Sequence, residues 1–231
     1  MKATRWEFEN RAVILGGIFA LSFLLSPLDR TNAAVAMAEP LARALHTYDN
    51  SVARSIFAIG ALLVALAALI RTWGSAYLSA DVVYAGRVKT ASLVADGPYR
   101  FVRNPLYFAN VLLAIGMGTM ASRFGFVLLN VLMLLFSYRL ILREEGELAR
   151  AQGAAYDAYR ARVPRLFPSP TPRVASAGRP PRWAAAFKAE SWYWGFALAV
   201  AVFAATLSVK LFFGILIVSI ATLVLITSRA N

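Results

Sequence analysis

Apolar residues occur along this chain in long blocks separated by short polar segments. Most blocks approach the ~20 residues that an α-helix needs to cross a hydrocarbon layer of ~30 Å. Arginines that flank the shorter blocks can extend their guanidinium groups toward the interface, which lengthens the segment that fits in the membrane. The pattern predicts an all-α, multi-pass transmembrane protein with about six spanning helices and short cytosolic helices. The blocks free of Asp, Glu, Lys and Arg are residues 12–28, 55–70, 104–122, 124–138, 191–209 and 211–228.

Local signals set the expected ends of the central helices. Pro105 suits the first position of a helix, and the preceding Asn104 suits a cap. Ser122 leaves room only for a tight turn, so the next helix should return antiparallel. Gly153 offers a stop for that helix, and a further short helix is expected over residues 154–162.

Proline and charge divide the rest of the chain. Six of the ten prolines fall within residues 164–181, which favours an extended segment. One helix over 191–228 would measure about 57 Å, so we expect a hairpin that turns near Lys210. An Ala-rich stretch around Pro40 predicts a short interfacial helix. The expected units are a first helix with an outer segment (1–50), a core (51–168), a Pro-rich linker (169–187) and a C-terminal transmembrane hairpin (188–231).

The basic residues are concentrated on one side of the predicted membrane. The net charge is +12, and 19 of the 24 Lys and Arg residues share one side if the N-terminus is cytoplasmic. Cytoplasmic loops of membrane proteins carry such an excess, and anionic lipids attract it. We therefore expect a protein of the bacterial inner membrane with a cytosol-facing site, with membrane lipids and no nucleic acid as partners.

The scarcity of cysteine and histidine restricts the chemistry. Cysteine is absent and His46 is the single histidine. Thiolate nucleophiles and thiolate metal sites are excluded, and no metal site is expected. A general base would have to be a carboxylate, a tyrosine or the substrate itself.

Two polar segments lie at helix ends on the predicted cytoplasmic side. The first reads Asp-Gly-Pro-Tyr-Arg-Phe-Val-Arg-Asn-Pro-Leu-Tyr over residues 96–107, and the second spans residues 139–159. Each has a plain structural interpretation. The first is a turn before a capped helix, with arginines that hold lipid phosphates. In the second, Arg143 and Glu147 form an i,i+4 ion pair worth ~0.2–0.5 kcal/mol, and the tyrosines are interface aromatics.

Taken together, the two segments resemble the paired motifs of the isoprenylcysteine carboxyl methyltransferase and phospholipid methyltransferase superfamily, over about residues 56–168. The resemblance implies an integral membrane enzyme that binds S-adenosylmethionine in a cytosolic pocket. A lipophilic acceptor, a lipid or a prenylated substrate, would enter from the bilayer. The resemblance assigns cofactor binding to Tyr99, Arg103, Asn104, Pro105, Tyr107, Glu145, Tyr156 and Tyr159, and catalysis to Arg143, Glu144 and Glu145.

This sequence departs from the family pattern at two positions. Asn104 stands where histidine is common, and Gln152 stands where phenylalanine often precedes Gly153. Asparagine donates and accepts hydrogen bonds but carries no charge. Only a neutral contact to the cofactor is therefore expected from Asn104.

The residue types suit the implied chemistry. Arginine binds a carboxylate bidentately, glutamate accepts from ammonium or ribose, and tyrosine faces attract a sulfonium by ~0.5–2 kcal/mol. For a carboxylate acceptor, which we favour as an O-methyltransferase substrate, Arg143 would orient the nucleophile and no base is needed. For an amine acceptor, Glu144 or Glu145 would remove a proton.

Three other functions stay open at this point. One is N-methylation of a phospholipid amine, and another is an NADPH-dependent membrane reductase of the sterol type. The third is a non-enzymatic membrane scaffold whose last hairpin binds a partner. A soluble-type nucleotide loop is not expected, because Gly116-Met117-Gly118 lies within an apolar helix, where close helix packing is its expected purpose.

Overall fold

The computed structural model of the chain describes residues 1–47, 50–78 and 95–228. Within these ranges it is all-α, as predicted, and has no strand beyond an isolated bridge between Asn32 and Ser122. The sequence between the second and third apolar blocks predicts a cytoplasmic loop from Asp81 to Arg103, and residues 81–94 of it lie outside the described residues. The helices are α1 (Arg5–Glu9), α2 (Arg11–Leu24), α3 (Ala33–Ala44), α4 (Ser51–Tyr77), a 3₁₀ helix (Gly97–Arg100), α5 (Pro105–Gly118), α6 (Arg123–Gln152), α7 (Ala154–Arg162), α8 (Trp183–Ala189), α9 (Ser191–Thr206) and α10 (Val209–Ser228).

Each apolar block forms a helix, but the helices differ in length. Of the described helices, α4 with 27 residues and α6 with 30 are long and apolar enough to cross a membrane. The other four blocks form the shorter apolar helices α2, α5, α9 and α10. Two candidate spans support a membrane protein, whereas the predicted count of about six is not confirmed.

The predicted boundaries of the central helices are confirmed. Pro105 lies in the first turn of α5. The Ser122 Oγ accepts a hydrogen bond from the Gly125 N–H at 3.1 Å and caps α6. Gly153, with φ +54°, follows the last residue of α6. Helix α7 then ends before Val163.

The C-terminal residues form the predicted hairpin. Helices α9 and α10 are separated by Leu207, which has a left-handed backbone with φ 54°, and by Ser208. Gly195 on α9 permits a close approach of the two helices, because a Cβ atom there would meet the Ser219 side chain on α10. The turn lies two residues before the predicted position.

Two glycines make a close contact between α4 and α5. A Cβ atom on Gly116 would lie 2.5 Å from the Gly60 carbonyl oxygen, and a Cβ atom on Gly60 would lie 2.9 Å from that of Gly116. Around this contact, α4 and α5 bury small and aliphatic side chains against α9 and α10. Gly116 therefore serves helix packing, as predicted.

The helix ends gather at two opposite ends of the bundle. At one end the Ala3 N–H donates to the Arg139 carbonyl at 3.1 Å, and the Arg182 N–H donates to the last turn of α4 at 2.7 Å. At the other end Asp29 pairs with Arg123 at 3.1 Å. Both polar motifs lie at the first of these ends, which we call the motif end.

Candidate active site at the motif end

Glu145 on α6 joins the two sequence motifs. Its carboxylate accepts hydrogen bonds from Asn104 Nδ2 and Arg165 Nε, each at 3.0 Å, and pairs with Arg103 Nη1 at 3.4 Å. The side chains of Arg103 and Glu145 are only 10% and 9% exposed. Three donors balance the desolvation of this carboxylate. The structure thus brings together three of the predicted residues and adds Arg165.

Asn104 contributes by a different contact from the expected cap. It occupies the N-cap position of α5, but its side chain forms no cap hydrogen bond. Instead, Nδ2 donates to Glu145 and, at 2.9 Å, to the Arg165 carbonyl. An amide makes both bonds without introducing charge. The next residue, Pro105, is buried and begins the helix.

A second pair lies beside the first across the contact of α5 and α6. The Tyr107 hydroxyl donates to Glu144 Oε1 at 2.7 Å. Asn104 and Tyr107 are three residues apart on α5 and therefore share a face. Arg11 on α2 lies within electrostatic range of both Tyr107 and Glu144.

Arg143 faces the N-terminal residues instead. Its Nη1 donates to the Ala3 carbonyl at 3.2 Å, and its Nη2 pairs with Glu147 at 2.9 Å, which confirms the predicted i,i+4 ion pair. Consecutive residues on a helix point about 100° apart. Among the described residues, Glu144 contacts Tyr107 and Glu145 contacts Arg103 and Asn104. Arg143 contacts neither of these groups within the described part of the chain.

The two predicted tyrosines of α7 pack against the first motif. The Tyr159 hydroxyl donates to the Tyr99 carbonyl at 2.7 Å, and the rings of Tyr156 and Tyr159 lie 6.0 Å apart. Burial, reinforced by Glu145 and opposed by Arg103, raises the pKa of Tyr156 to about 12. Burial also raises the pKa of Tyr159. Both phenols are therefore neutral near pH 7.

Two buried polar atoms of the first motif lack a hydrogen-bond partner among the described residues. These atoms are the Tyr99 hydroxyl and Arg103 Nε. Burial, the largest cause, raises the pKa of Tyr99 well above its usual value, so the hydroxyl keeps its proton. An unsatisfied buried donor costs ~1–3 kcal/mol. Such atoms mark positions where a ligand can bind.

The Pro-rich segment is extended, as predicted, and lies along the first motif. The Ser169 N–H donates to the Phe101 carbonyl at 3.0 Å, and the Arg173 N–H donates to the Arg100 carbonyl at 2.8 Å. These bonds hold the segment against the 3₁₀ helix that contains Tyr99. The segment therefore forms one wall of the motif end.

Asp96 holds the far end of that segment. Its carboxylate accepts from the Ser176 hydroxyl at 2.6 Å and from the N–H groups of Ala177 at 2.8 Å and Arg179 at 3.2 Å. Burial alone would raise the pKa of Asp96, but these hydrogen bonds outweigh it and keep the pKa below its ordinary value. The predicted site residues did not include Asp96.

A further buried cluster, which the sequence did not reveal, joins α4 and α5 to the C-terminal hairpin. Arg71 donates to both carboxylate oxygens of Glu190 at 2.6 and 3.2 Å, and the Ser75 hydroxyl donates to the same group. Arg71 Nη1 and the Tyr193 hydroxyl both donate to Asn110 Oδ1, at 3.1 and 2.6 Å. Glu190 is fully buried.

The Tyr99 hydroxyl lies near this cluster as well as near the site. It lies 3.5 Å from the position of a Cβ atom on Gly74, one turn beyond Arg71 on α4. Arg71, Glu190 and Glu144 are all within electrostatic range of it. Tyr99 therefore lies near both the Glu144 pair and the Arg71 cluster.

Comparison with characterised proteins gives two similar relatives. The chain is 30% identical to the nickel-cobalt-cadmium resistance protein NccN of Alcaligenes xylosoxydans xylosoxydans over 120 residues, 52% of this chain and 53% of that protein. It is 31% identical to the cobalt-zinc-cadmium resistance protein CzcN of Cupriavidus metallidurans over 113 residues, 49% of each. The chain thus spans about half the length of these relatives. No solved structure matches it.

A family match covers the segment that carries most of the site. The phospholipid methyltransferase family matches residues 55–154. This range includes Arg103, Asn104 and Glu145, and it ends before Tyr156 and Arg165. The resemblance drawn from the motifs is therefore confirmed: residues 55–154 of this chain match the phospholipid methyltransferase family, which belongs to the superfamily of the isoprenylcysteine carboxyl methyltransferases.

Proposed function

We propose that this chain is an integral membrane methyltransferase that moves the methyl group of S-adenosylmethionine to a lipophilic acceptor. The observation that carries the proposal is the convergence of Arg103 and Asn104 with Glu145, which lies 41 or more residues further along the chain yet shares one buried cluster with them. The family match over residues 55–154 supports the same activity, since it is a family of membrane methyltransferases.

The proposed setting is the bacterial inner membrane, with the motif end in the cytosol. All six apolar helices would lie in the bilayer, the shorter ones with help from flanking cationic side chains. The division of the helix ends supports this setting, because Lys2, Arg103 and Arg139 lie at the motif end while Arg123 lies at the other. A water-soluble cofactor and a membrane-dissolved acceptor can meet at such a boundary.

The residues at the motif end fit the proposed cofactor. S-adenosylmethionine supplies an electrophilic methyl group on a sulfonium and carries a carboxylate, an ammonium, a ribose and an adenine. Arg103 Nε, buried and without a described partner, suits the carboxylate. The neutral Tyr99 hydroxyl suits a ribose or adenine acceptor, and the faces of Tyr156 and Tyr159 suit the sulfonium.

Glu145 acts as a positioning residue in this proposal. Its carboxylate accepts hydrogen bonds or ion pairs from Arg103, Asn104 and Arg165. Most of its hydrogen-bond acceptor capacity is therefore used within the protein. Its charge fixes the guanidinium of Arg103, which would otherwise lack a buried counter-ion. Orientation of this kind lets a displacement at carbon draw on the ~7–11 kcal/mol available to positioning.

Two acceptor classes are compatible with the site. A carboxylate acceptor, which the resemblance favours, needs no base. The sequence predicts that Arg143 orients it, but Arg143 is held by Ala3 and Glu147. Arg11 or Arg103 would therefore orient the acceptor carboxylate. The Tyr107–Glu144 hydrogen bond supports the second candidate, a phospholipid amine. Glu144 would take the amine proton there, and Tyr107 would orient the carboxylate.

Methyl transfer by the purified full chain tests the proposal. Incubation with methyl-labelled S-adenosylmethionine and either a bacterial lipid extract or a prenylcysteine analogue should label one product. A labelled prenylcysteine ester supports the carboxylate, and a labelled phospholipid amine supports the second candidate. If the protein is folded and neither product is labelled, both acceptor candidates are contradicted.

A matched pair of variants tests the site itself. We expect Glu145→Gln to abolish transfer, because Arg103 and Arg165 lose their common counter-ion. Asp157→Asn removes one charge from an exposed pair on α7, whose side chains are more than half exposed, and should leave transfer unchanged. Full activity of Glu145→Gln would contradict the site assignment.

The remaining alternatives predict different results. A reductase would bind NADPH and not S-adenosylhomocysteine in a calorimetric titration of the detergent-solubilised chain. A scaffold would keep its function in Glu145→Gln. Deletion of the hairpin is not a useful test of a scaffold, since removing Glu190 leaves Arg71 buried without its carboxylate partner.

A further inference from the structure

A groove at the motif end carries positive charge that the proposed methyl transfer does not use. It is a cavity of about 90 Å³ between the N-terminal residues and the last turns of α6. Three cationic side chains and one carboxylate border it, so positive charge is in excess. The lining residues are Lys2, Ala3, Arg143, Gly146, Glu147 and Arg150.

Ala3 fixes the geometry of this groove. Its N–H donates to the Arg139 carbonyl at 3.1 Å, and its carbonyl accepts from Arg143 Nη1 at 3.2 Å. Lys2 consequently lies along α6, with Nζ 2.9 Å from the position of a Cβ atom on Gly146. A side chain at position 146 would displace the ammonium group, which is the end of a flexible side chain, from this part of the groove.

The charges in the groove are incompletely balanced. Glu147 is engaged by Arg143 at 2.9 Å. Lys2 and Arg150 form no ion pair with any residue that the structure describes, and the buried Arg143 Nε has no hydrogen-bond partner there either. Uncompensated ammonium and guanidinium donors around a small cavity are the arrangement that binds phosphate oxygens.

The surroundings place the groove at the depth of lipid headgroups. Trp6 on α1 is 66% exposed, and Val13 in the first turn of α2 is 75% exposed. An exposed tryptophan next to an apolar helix is typical of a membrane interface, where the cytoplasmic leaflet presents anionic lipids. We propose that this groove binds the phosphate of an anionic lipid headgroup, independently of methyl transfer.

Native mass spectrometry of the full chain, released from phosphatidylcholine nanodiscs that contain phosphatidylglycerol, tests this site. We expect the parent protein to retain phosphatidylglycerol and Lys2→Gln/Arg150→Gln to retain it about thirtyfold more weakly, because two interfacial charges are lost. Gly146→Leu should cause a similar loss by filling the groove at constant charge. The matched control Arg160→Gln/Arg162→Gln, on exposed positions of α7, should retain the lipid normally.

Three results would overturn the proposal. Equal losses in the control and in Lys2→Gln/Arg150→Gln would show general attraction to charge. Unchanged retention in Lys2→Gln/Arg150→Gln would show that the groove does not bind the lipid. Displacement of the lipid by inorganic phosphate at similar concentration would assign the groove to a soluble phosphate. Both charge variants change exposed side chains, so their folding can be checked by circular dichroism.

Discussion

The guanidinium of Arg71 and the carboxylate of Glu190 form a bidentate ion pair across 119 residues of sequence, with contacts of 2.6 and 3.2 Å. Arg71 lies inside the segment that matches the family, whereas Glu190 lies outside it. A second contact, from Trp194 Nε1 to the Thr72 hydroxyl at 3.1 Å, joins the same two regions. The C-terminal hairpin is therefore packed into the core of this protein.

Removing the charge of Glu190 should destabilise the protein strongly. Glu190→Gln leaves the buried Arg71 without a counter-ion, and loss of one partner of such a pair costs ~3–5 kcal/mol. Denaturation in mild detergent, followed by circular dichroism, measures the change. Glu39→Gln, which opens an exposed i,i+4 pair with Arg43, should change stability by less than ~1 kcal/mol. Equal effects of the two substitutions would contradict the assignment.

The glycine contact between α4 and α5 should tolerate no side chain. Gly116→Ala places a methyl group against the Gly60 carbonyl, which is backbone and cannot turn aside, so we expect a loss of ~1–3 kcal/mol. Gly214→Ala on α10 meets nothing within 4 Å and should be neutral or stabilising by ~0.5–1 kcal/mol. Thermal unfolding of both variants checks the contrast. A stable Gly116→Ala protein would mean that the helices are further apart.

Two tyrosines of the site should respond in opposite ways to loss of the hydroxyl. Tyr99→Phe removes a buried group without a described partner, so stability should rise by ~1 kcal/mol while S-adenosylhomocysteine binds several-fold more weakly. Tyr159→Phe removes the 2.7 Å bond to the Tyr99 carbonyl and should lower stability by ~1 kcal/mol. Unfolding and calorimetric titration separate the two effects. A less stable Tyr99→Phe protein with unchanged binding would contradict the assignment of Tyr99.

The docking of the Pro-rich segment should weaken in acid. The folded pKa of Asp96 is depressed, so its contribution is complete above the unfolded pKa of about 3.9 and is lost as the pH falls through the folded value. Amide exchange at Ala177 and Arg179, corrected for the intrinsic rate at each pH, should show protection that disappears in that range. Asp96→Asn should show weak protection at every pH. Protection in Asp96→Asn equal to that of the parent chain would show that the charge is not needed.

The helices could be predicted because their signals are local. Uncharged apolar blocks, a proline in the first turn and Gly153 at a helix end each act over a few residues. The contacts that each side chain makes with distant parts of the chain could not be predicted in the same way. Arg143 and Glu145 are two positions apart in the motif, yet the helix directs one to Ala3 and the other to Asn104. Likewise, nothing local to Glu190 indicates a partner on α4.

Residues 169–179 contact the first motif mostly through their own main-chain groups, such as the Ser169 and Arg173 N–H groups and the N–H groups that donate hydrogen bonds to Asp96. Such bonds depend on the path of the backbone and only weakly on which amino acids follow it. Substitutions can therefore accumulate along this stretch while it keeps its course, provided that an acceptor remains at position 96. Distant relatives are expected to share this wall in shape after losing it in sequence.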